Sequence, residues 1–373
     1  MQARVVVINA GSSSLKVRVL GPADAVENSF DLDPWDGSPD HPELAEFLAC
    51  VGTVGVIGHR VVHGGVRYSR AVLIDSSVIT AIAELANLAP LHQPRALAGI
   101  AAARQAVPDV PEVACFDTAF HAGLPAAAAT YALPSTWTDS FGLRRFGFHG
   151  LSHSYAARRA AAMLGREPAE LRIVTCHLGA GASLAAVQAG RCVDTTMGFT
   201  PLEGLVMATR SGSVDPGLIV WLLQDGRLSL GELAAGLEHS SGLAGLARLP
   251  TGSGDMRDVR QAAEAGSRAA SLAIEVYLHR LRREIAAMAA AMNGLDALVF
   301  TGGIGEHDPS VRAAAVAGLD FLGVSVDPDR NRATADADVS GAGAAARVLV
   351  VTAREDIEIA RQAREVLVSD GGH

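Results

Sequence analysis

Residues 5–19 read VVVINAGSSSLKVRV, and this stretch decides the architecture of the chain. Two runs rich in β-branched residues flank a Gly-Ser turn, which predicts a strand-turn-strand hairpin. The hydroxyls and backbone N–H groups of such a turn can bind an anion. Lys16, in the second run, is the only lysine among the chain's 31 basic residues. Because a flexible ammonium can follow a moving phosphate better than arginine's rigid fork, the stretch predicts a phosphate-binding hairpin.

The hairpin pattern returns in weaker form at residues 173–187, IVTCHLGAGASLAAV. An apolar strand, a Gly-rich turn and a second apolar strand follow in the same order, which indicates an internal duplication. The chain has 373 residues, more than a single core of roughly 250 to 300 residues accommodates. We therefore expect an α/β fold of two similar lobes that face each other across a cleft lined by their turns.

Composition excludes several classes of protein. The net charge of −9 and the lack of a Lys/Arg-rich block argue against nucleic acid as a partner. The four cysteines, Cys50, Cys115, Cys176 and Cys192, have neither CxxC nor metal-ligand spacing, which favours buried thiols in a reducing compartment. We find no leader pattern and no uncharged run of about 18 residues, so we expect no membrane association and a cytoplasmic location.

Local patterns predict further elements along the chain. Helices are expected over residues 43–50, 76–88, 94–105, 267–292 and 356–368, and strands over 113–116, 297–301 and 347–351. The Pro/Asp-rich residues 33–42 predict a surface loop. We assign residues 1–121 plus 356–373 to an N-terminal lobe with the phosphate hairpin and the returning C-terminal helix, and residues 122–355 to a C-terminal lobe.

Five more segments combine glycine with charged or imidazole side chains at predicted strand ends. They are GHRVVHGG (58–65), FDTAFH (116–121), RRFGFHGLSH (144–153), TPLEGLVMATRSG (200–212) and TGGIGEH (301–307). No Gly-Lys pair exists, which excludes a Walker motif, and Asp308 replaces the third glycine of a dinucleotide fingerprint. The turn at 301–307 instead suits a nucleotide's phosphates or adenosine held against bare backbone.

Together with NAGSSSLK (9–16), these motifs resemble the acetate kinase family in one order from end to end. The resemblance implies two duplicated ribonuclease-H-like lobes of the actin-like, sugar-kinase and Hsp70 ATPase superfamily. It also implies reversible phosphoryl transfer from ATP to acetate, giving acetyl phosphate and ADP by direct in-line attack, with Mg²⁺ or Mn²⁺. A homodimer through the C-terminal lobe is implied too. The alternatives are a kinase for propionate or another short acyl group, and a nucleotide-binding protein with impaired catalysis.

Matching the family's motifs residue by residue implies specific roles. The implied catalytic residues are Asp117, His149 and Arg210. The substrate carboxylate is expected on Arg60, and its methyl group in an apolar pocket of Val62, Leu91, Phe148 and Pro201. The metal is expected near Asn9 and Glu355. The implied nucleotide-binding residues are Ser12, Ser14, Lys16, His177, Leu178, Gly179, Ala180, Gly181, Asp255, Met256, Arg257, Gly303, Ile304, Gly305, Glu306 and His307.

Elementary chemistry agrees with these roles. A carboxylate substrate has a pKa of roughly 4 to 5, so it is already an ionised nucleophile at neutral pH and needs no general base. The reaction instead needs cancellation of the repulsion between two anions, which arginines, a histidine and Mg²⁺ supply. We therefore expect Asp117 to orient Arg60, His149 or a metal-bound water. A helix expected to start at Ser152 would add its positive dipole end beyond His149.

Three positions depart from the family pattern. Ala180 stands where the family usually has asparagine, Arg95 replaces a small uncharged residue, and His307 stands where asparagine is usual. The loss of one polar contact at Ala180 could cost about 1 to 3 kcal/mol, unless Arg95 supplies it. Two readings stay open for His63 and His121, which either act in the site or only hold strand ends, whereas His153 is expected to cap or pack.

Overall fold

The computed structural model describes residues 3–11, 14–35, 37–38, 41–89 and 92–370. The chain forms two compact units. The first contains residues up to Ala122, the segment Phe148–Tyr155 and the residues from Arg354 onward, and the second contains Gly123–Gly147 and Ala156–Ala353. Sequence analysis assigned all of residues 122–355 to one lobe, whereas here Phe148–Tyr155 groups with the first unit, as do Ala122, Arg354 and Glu355 at the lobe boundaries. This grouping has a physical cause, since the N–H of Gly150 donates to the carbonyl of Asp117.

The first unit is built on a six-stranded sheet in the order β3-β2-β1-β4-β6-β5. Its strands are β1 (Val5–Ala10), β2 (Leu15–Leu20), β3 (Val26–Leu32), β4 (Val56–Val61), β5 (Val72–Leu73) and β6 (Glu112–Phe116). β1, β4 and β6 run parallel, while β2, β3 and β5 are antiparallel to their neighbours. The predicted hairpin is β1-β2.

The second unit repeats this topology in the order β9-β8-β7-β10-β12-β11. Its strands are β7 (Arg172–Leu178), β8 (Ala182–Gln188), β9 (Arg191–Thr195), β10 (Ala297–Thr301), β11 (Ala337–Asp338) and β12 (Arg347–Val350). Again three central strands run parallel, here β7, β10 and β12, with an antiparallel hairpin extension on one side and an antiparallel edge strand on the other. The predicted duplication is confirmed.

Helices cover the sheets. They are α1 (Pro42–Cys50), α2 (Ser76–Glu84), α3 (Gln93–Ala106), α4 (Ala126–Ala129), α5 (Ser135–Phe141), α6 (Gly150–Leu164), α7 (Pro216–Leu223), α8 (Leu230–His239), α9 (Gly242–Ala247), α10 (Met256–Glu264), α11 (Arg268–Ala291), α12 (Gly302–His307), α13 (Pro309–Val316) and α14 (Glu355–Asp370). Short 3₁₀ turns occupy Leu85–Leu88, Ala119–His121, Pro168–Glu170, Gln224–Gly226, Asp320–Leu322 and Arg330–Arg332. The helices predicted at 43–50, 76–88, 94–105, 267–292 and 356–368 are present with shifts of a few residues.

Two local predictions were wrong. The helix expected to start at Ser152 begins at Gly150, because the backbone turns at His149, whose φ is +55°. The glycine turn expected after β10 is the short helix α12, which begins directly at the strand end.

Successive side chains of a strand point to opposite faces of the sheet, so the first sheet has a hydrophobic core on each face. Val6 and Ile8 of β1 pack with α1 and α3, while Val5 and Val7 pack with α14. A Cβ on Gly58 would lie 2.5 Å from the Cγ2 of Ile359, so the glycine allows α14 to lie directly on β4. Within the described residues, no helix is both long and apolar enough to span a membrane.

Candidate active site

Three polar side chains gather at one edge of the first sheet. On the face of the sheet that is covered by α14, Asn9 is the last side chain of β1 and Arg60 is the last side chain of β4. Asp117 follows β6 on the same face. Because β1, β4 and β6 are parallel, their carboxyl ends meet at this edge. The first residue of α14, Glu355, lies there as well.

These four side chains form a continuous network. The Nη2 of Arg60 donates to Oδ2 of Asp117 at 2.7 Å and its Nε donates to the same oxygen at 3.1 Å. Its Nη1 donates to Oδ1 of Asn9 at 3.2 Å, and Nδ2 of Asn9 donates to Oε2 of Glu355 at 3.0 Å. Arg60 and Glu355 also form an ion pair at 3.8 Å. The structure therefore brings Asn9 and Glu355, the two residues expected near the metal, together from opposite ends of the chain.

Burial controls the charges of this network. Asp117 is 1% exposed, and this burial raises its pKa to about 6, an effect that Arg60 opposes and Glu355 reinforces. Burial disfavours the charged form of Arg60, but the two carboxylates outweigh it and raise the pKa of the guanidinium. At neutral pH the network contains one cation and two carboxylates, so it can accept another positive charge.

The segment Phe148-His149-Gly150 is fixed beside Asp117. The N–H of Gly150 donates to the Asp117 carbonyl at 3.0 Å, and a Cβ on Gly150 would lie 2.1 Å from that oxygen. Glycine is thus required for this close approach. On the other side, Nε2 of His121 donates to the carbonyl of Phe148 at 3.0 Å. These two bonds place His149 directly next to the network through the backbone.

His121 and His63 are supporting residues. Burial lowers the pKa of each to about 4, so both rings are neutral at physiological pH. Nδ1 of His63 accepts from the N–H of Gly65 at 2.8 Å, and its ring meets Phe148 edge-on with centroids 5.5 Å apart. Of the two open readings, their bonds agree with the supporting one. His153 is fully buried and packs against His121, as expected.

Of the predicted apolar pocket, the first unit supplies Val62 and Phe148, both buried, while Pro201 belongs to the second unit. Leu91 and the predicted phosphate-binding Ser12 lie outside the described residues. Sequence analysis missed Gln93, a buried residue whose amide accepts from the N–H of His63 at 3.3 Å and donates to its carbonyl at 3.0 Å. Its place next to Pro94 at a helix start was the only available signal.

The hairpin presents Lys16 to solvent. Lys16 lies opposite Asn9 in the β1-β2 register, on the same face of the sheet as the charged network. Its ammonium forms no ion pair with any residue that the structure describes, so its charge is available to an anion. The carbonyl of Ser14 accepts from the N–H of Gly11 at 2.7 Å and closes the turn.

The second unit brings the predicted nucleotide turns together around one cavity of about 490 Å³. It is lined by Gly179, Ala180, Ala208, Gly254, Asp255, Met256, Arg257, Gly303, Ile304, His307 and Asp308. His177, Leu178 and Gly181 flank the first of these turns in the chain. Much of the lining is backbone or small side chains, which allows close approach of a ligand.

Gly305 and Glu306 do not line the cavity, although both were expected at the nucleotide. Glu306 is buried, and its Oε1 accepts from the N–H groups of Gly302 at 2.8 Å and Ala353 at 3.0 Å. Its carboxylate thus fixes the start of α12. Asp255 has a similar local task, since its side chain caps α10 by accepting from the N–H of Arg257 at 2.8 Å.

The structure shows the contacts of the three residues that depart from the family pattern. Ala180 is exposed, and its carbonyl accepts from the N–H of Ala208 at 3.1 Å, so backbone alone holds this turn. His307 is exposed and lines the cavity. The guanidinium of Arg95 donates to the carbonyl of Trp35 at 2.8 Å, a contact within the first unit.

Within the described residues, Arg210 donates hydrogen bonds only to neutral groups. Its Nη1 donates to the carbonyl of Pro201 at 3.1 Å and to the Sδ of Met207 at 3.8 Å. Burial lowers the pKa of the guanidinium, and the charge of Glu238 partly opposes this effect. No carboxylate in the described part of the chain pairs with it, so its charge remains available to a ligand.

Comparison with known proteins identifies the family. Residues 45–361 match the model of the acetokinase family. The chain belongs to this family. It is 52% identical over 335 residues to an acetate kinase of Synechococcus sp. (strain JA-2-3B'a(2-13)), an alignment that covers 89% of this chain and 80% of the relative.

Solved structures agree with the family assignment. A Porphyromonas gingivalis acetate kinase superposes with a TM-score of 0.89 at 34% identity, covering 98% of this chain and 99% of its own. A Francisella tularensis propionate kinase superposes with a TM-score of 0.88 at 35% identity, covering 98% and 100%. The predicted family, fold class and enzyme class, a phosphotransferase with a carboxyl group as acceptor, are confirmed.

Proposed function

We propose that this acetokinase-family member catalyses reversible phosphoryl transfer between ATP and acetate, giving acetyl phosphate and ADP by direct in-line attack. The observation that carries the proposal is the network of Asn9, Arg60, Asp117 and Glu355 at the carboxyl ends of three parallel strands. The second unit supplies the cavity of about 490 Å³ for ATP or ADP.

Asp117 acts on Arg60 rather than as a base. Acetate is already ionised at neutral pH, so no proton has to be removed before it attacks phosphorus. The carboxylate of Asp117 instead holds the guanidinium fork by two hydrogen bonds, which fixes its orientation. Arg60, so oriented, binds the substrate carboxylate. Val62 and Phe148, both buried in the first unit, supply apolar surface for the methyl group. The same role for Leu91 and Pro201 remains a prediction.

The charge that builds up on the transferring phosphoryl needs cationic and hydrogen-bonding partners. We assign His149, Arg210 and Lys16 to this task. Arg210 suits it because its charge is unpaired within the described residues and partly desolvated, which strengthens its field at a bound anion. His149 suits it because its backbone is fixed to Asp117 through Gly150.

The donor set of the first unit fits Mg²⁺, with Mn²⁺ as a substitute. Asn9, Asp117 and Glu355 offer oxygen ligands, which this hard cation prefers, and their net negative charge suits it. Over the described residues, no three His, Cys, Asp or Glu side chains are arranged to hold a metal alone. One or two carboxylates with substrate phosphates and water is the usual arrangement for Mg²⁺. When bound, the ion would neutralise phosphate charge.

Glu355→Ala should raise the Mg²⁺ concentration required for half-maximal rate, and an unchanged requirement would remove Glu355 from the site.

Substrate choice is tested by kcat/KM for formate, acetate, propionate and butyrate with ATP and Mg²⁺, with hydroxylamine trapping of the acyl phosphate. We expect acetate to give the highest value. Propionate is the second candidate, because the Francisella propionate kinase superposes as closely as the Porphyromonas acetate kinase. One methylene is worth only about 1 to 3 kcal/mol in a fitted pocket. Nucleotide binding without any trapped product would instead favour the impaired nucleotide-binding protein.

We also infer a homodimer that uses the second unit. Helix α7 is apolar, yet none of its residues is buried, and Leu218, Val220 and Trp221 are each 45% to 56% exposed. A patch of this kind is typical of a protein interface, and a second copy of the chain is the partner that we propose. Sedimentation of Trp221→Asp should show a smaller species than the unaltered chain. The cytoplasmic location remains a prediction.

A further inference from the structure

A carboxylate outside the predicted site joins three segments of the second unit. Oε1 of Glu203 accepts from Nη2 of Arg145 at 2.7 Å, and its Oε2 accepts from the hydroxyl of Tyr131 at 2.6 Å. The guanidinium of Arg145 also lies over the Tyr131 ring, 5.5 Å from its centroid. Both oxygens of the carboxylate are therefore engaged by side chains from distant parts of the sequence.

The same cluster fixes the loop that contains Glu203. The hydroxyl of Tyr131 accepts from the N–H of Phe199 at 2.8 Å, and Nη1 of Arg145 donates to the carbonyl of Met197 at 3.1 Å. A Cβ on Gly198 would lie 1.7 Å from Oε2 of Glu203 and 2.2 Å from the Tyr131 hydroxyl, so a side chain there would displace both groups. The loop from Met197 to Glu203 is thus anchored at Met197, Phe199 and Glu203.

The charges of the cluster are matched and stable. Burial and the hydrogen bond to Glu203 raise the pKa of Tyr131, so its hydroxyl stays a neutral donor. Burial disfavours the charged form of Arg145, but the hydrogen bond to Glu203 and the charges of Glu203 and its neighbours together outweigh burial and raise the pKa of the guanidinium. One cation and one anion therefore cancel, and the cluster adds little net charge near its neighbours.

This loop holds Arg210 by the carbonyl of Pro201, two residues before Glu203. A carboxylate partner would offset part of the charge with which Arg210 is proposed to attract the phosphoryl group. A neutral carbonyl fixes the guanidinium without this cost, provided that the carbonyl itself does not move. Beyond Glu203 the loop is tied again, since the N–H of Gly204 donates to the Oγ of Ser213 at 3.0 Å.

We propose that Glu203 is a positioning residue for Arg210, acting through the Pro201 carbonyl with Arg145 and Tyr131 as its anchors. The inference rests on the proposed role of Arg210 at the transferring phosphoryl. A guanidinium displaced by about 1 Å can cost roughly a hundredfold in rate while leaving substrate binding intact.

The test is a double-mutant cycle on the full-length enzyme with acetate and ATP. Glu203→Gln should lower kcat roughly tenfold to a hundredfold with unchanged KM for ATP, because only the transition state loses a contact. Added to Arg210→Ala, it should cause no further loss, since both changes remove one function. Glu170→Gln is the matched control, because it breaks the exposed pair with Arg166 and should leave kcat unchanged.

Four results would count against the proposal. An unchanged kcat in Glu203→Gln, or a further loss in the double variant, would show that Glu203 does not act through Arg210. An unchanged kcat in Arg210→Ala would instead remove the proposed role of Arg210 itself. Tyr131→Phe is the milder variant for the case in which Glu203→Gln misfolds, because it removes a single hydroxyl group from the cluster. A smaller fall in kcat with the same KM and the same thermal midpoint would support the proposal, and no fall would count against it.

Discussion

The two sheets repeat one topology but differ in what stands at equivalent strand ends. The N–H of Asp117 donates to the carbonyl of Val61 at 2.9 Å, and in the second sheet the N–H of Val351 donates to the carbonyl of Phe300 at 2.9 Å. The same position is thus a carboxylate in one unit and a valine in the other, and both are buried. At these strand ends the first sheet has charged side chains, whereas the second sheet has buried apolar residues that are followed by glycine.

The hairpins differ in charge rather than in polarity. In the first, Asn9 lies opposite the cation Lys16, and in the second the equivalent pair is His177 and Ser183, with no lysine. The turn residues Gly179 and Ala180 of the second hairpin line the nucleotide cavity mainly with backbone. The comparison teaches that the fold supplies equivalent edges, and that the residues at those edges decide whether an edge does chemistry or holds a ligand.

The strongest test of this division is Arg60→Ala in the first unit. It removes the only cation of a network with two carboxylates, so kcat should fall by roughly a thousandfold, with little change in ADP affinity. Stopped assays well below the midpoint of thermal unfolding measure kcat, and titration with ADP measures its affinity. Arg4→Ala, which breaks a pair with Glu27 away from the network, should retain activity. A joint loss of kcat and ADP binding would contradict the division between the units.

The reciprocal test is Gly303→Val in the second unit. Gly303 lines the cavity, and an added Cβ meets nothing within 4 Å, so the fold should tolerate the change. The new side chain takes space from the nucleotide, and KM for ATP should rise roughly tenfold or more with KM for acetate unchanged. Gly231→Val is the matched control, because that glycine also has open space around it and lies on α8. An unaltered KM for ATP would place the nucleotide elsewhere.

The buried carboxylate of the first unit predicts an acidic limb in kcat/KM near pH 6. The pKa of Asp117 is raised to about 6, so the group loses its charge as the pH falls through that value and holds Arg60 less firmly. The stability effect has the opposite sign. Because the folded chain binds this proton more tightly than the unfolded chain, the contribution to stability is full below about pH 4 and is lost as the pH rises through about 6.

A pH-rate profile over that range measures the limb. Asp117→Asn should lower the rate and abolish the limb near pH 6, since the titrating group is gone. The limb should not come from His63 or His121, whose pKa values are about 4. Persistence of the same limb in Asp117→Asn would assign it to another group.

The smallest expected effect concerns Ala180→Asn. The turn is held by its backbone and the side chain is exposed, so an amide can be added without strain. We expect kcat/KM to rise by up to tenfold, the equivalent of about 1.4 kcal/mol. Arg95 is engaged with the Trp35 carbonyl, so we expect the same gain with Arg95→Ala present. A large loss in Ala180→Asn would show that the turn does not meet the phosphates as proposed.

Sequence patterns predicted the parts of the fold that depend on local chemistry. The hairpin of residues 5–19, its repeat and the long helix α11 all follow from apolar periodicity. Strand β3 was missed, because its mostly exposed residues VENSFDL give no clear alternation. The start of α6 was misplaced by two residues because the decisive contact, between Gly150 and the Asp117 carbonyl, joins positions far apart in sequence.

At the site, too, sequence patterns did not reveal contacts between residues that are far apart in sequence. The roles expected of Asn9, Arg60 and Asp117 came from the motifs that resemble the acetate kinase family, and the structure brings these three side chains together. Glu203 was quoted within a motif but received no role, because its partners Tyr131 and Arg145 are distant in sequence. Glu306 was assigned to the nucleotide, although its carboxylate is used by backbone N–H groups. Such tasks depend on tertiary contacts that no local pattern reveals.

Helix α14 sets the order in which the enzyme can become active during its synthesis. The bond between Asn9 and Glu355 joins residues 346 positions apart, and Ile359, Ala360 and Ala363 complete the core beneath the first sheet. A ribosome delivers α14 long after β1 and β2, so these strands must wait for it with one apolar face uncovered. Contacts of such long range slow folding and prolong exposure to aggregation. The newborn chain thus completes the network of Asn9, Arg60, Asp117 and Glu355 only after α14 has been synthesised.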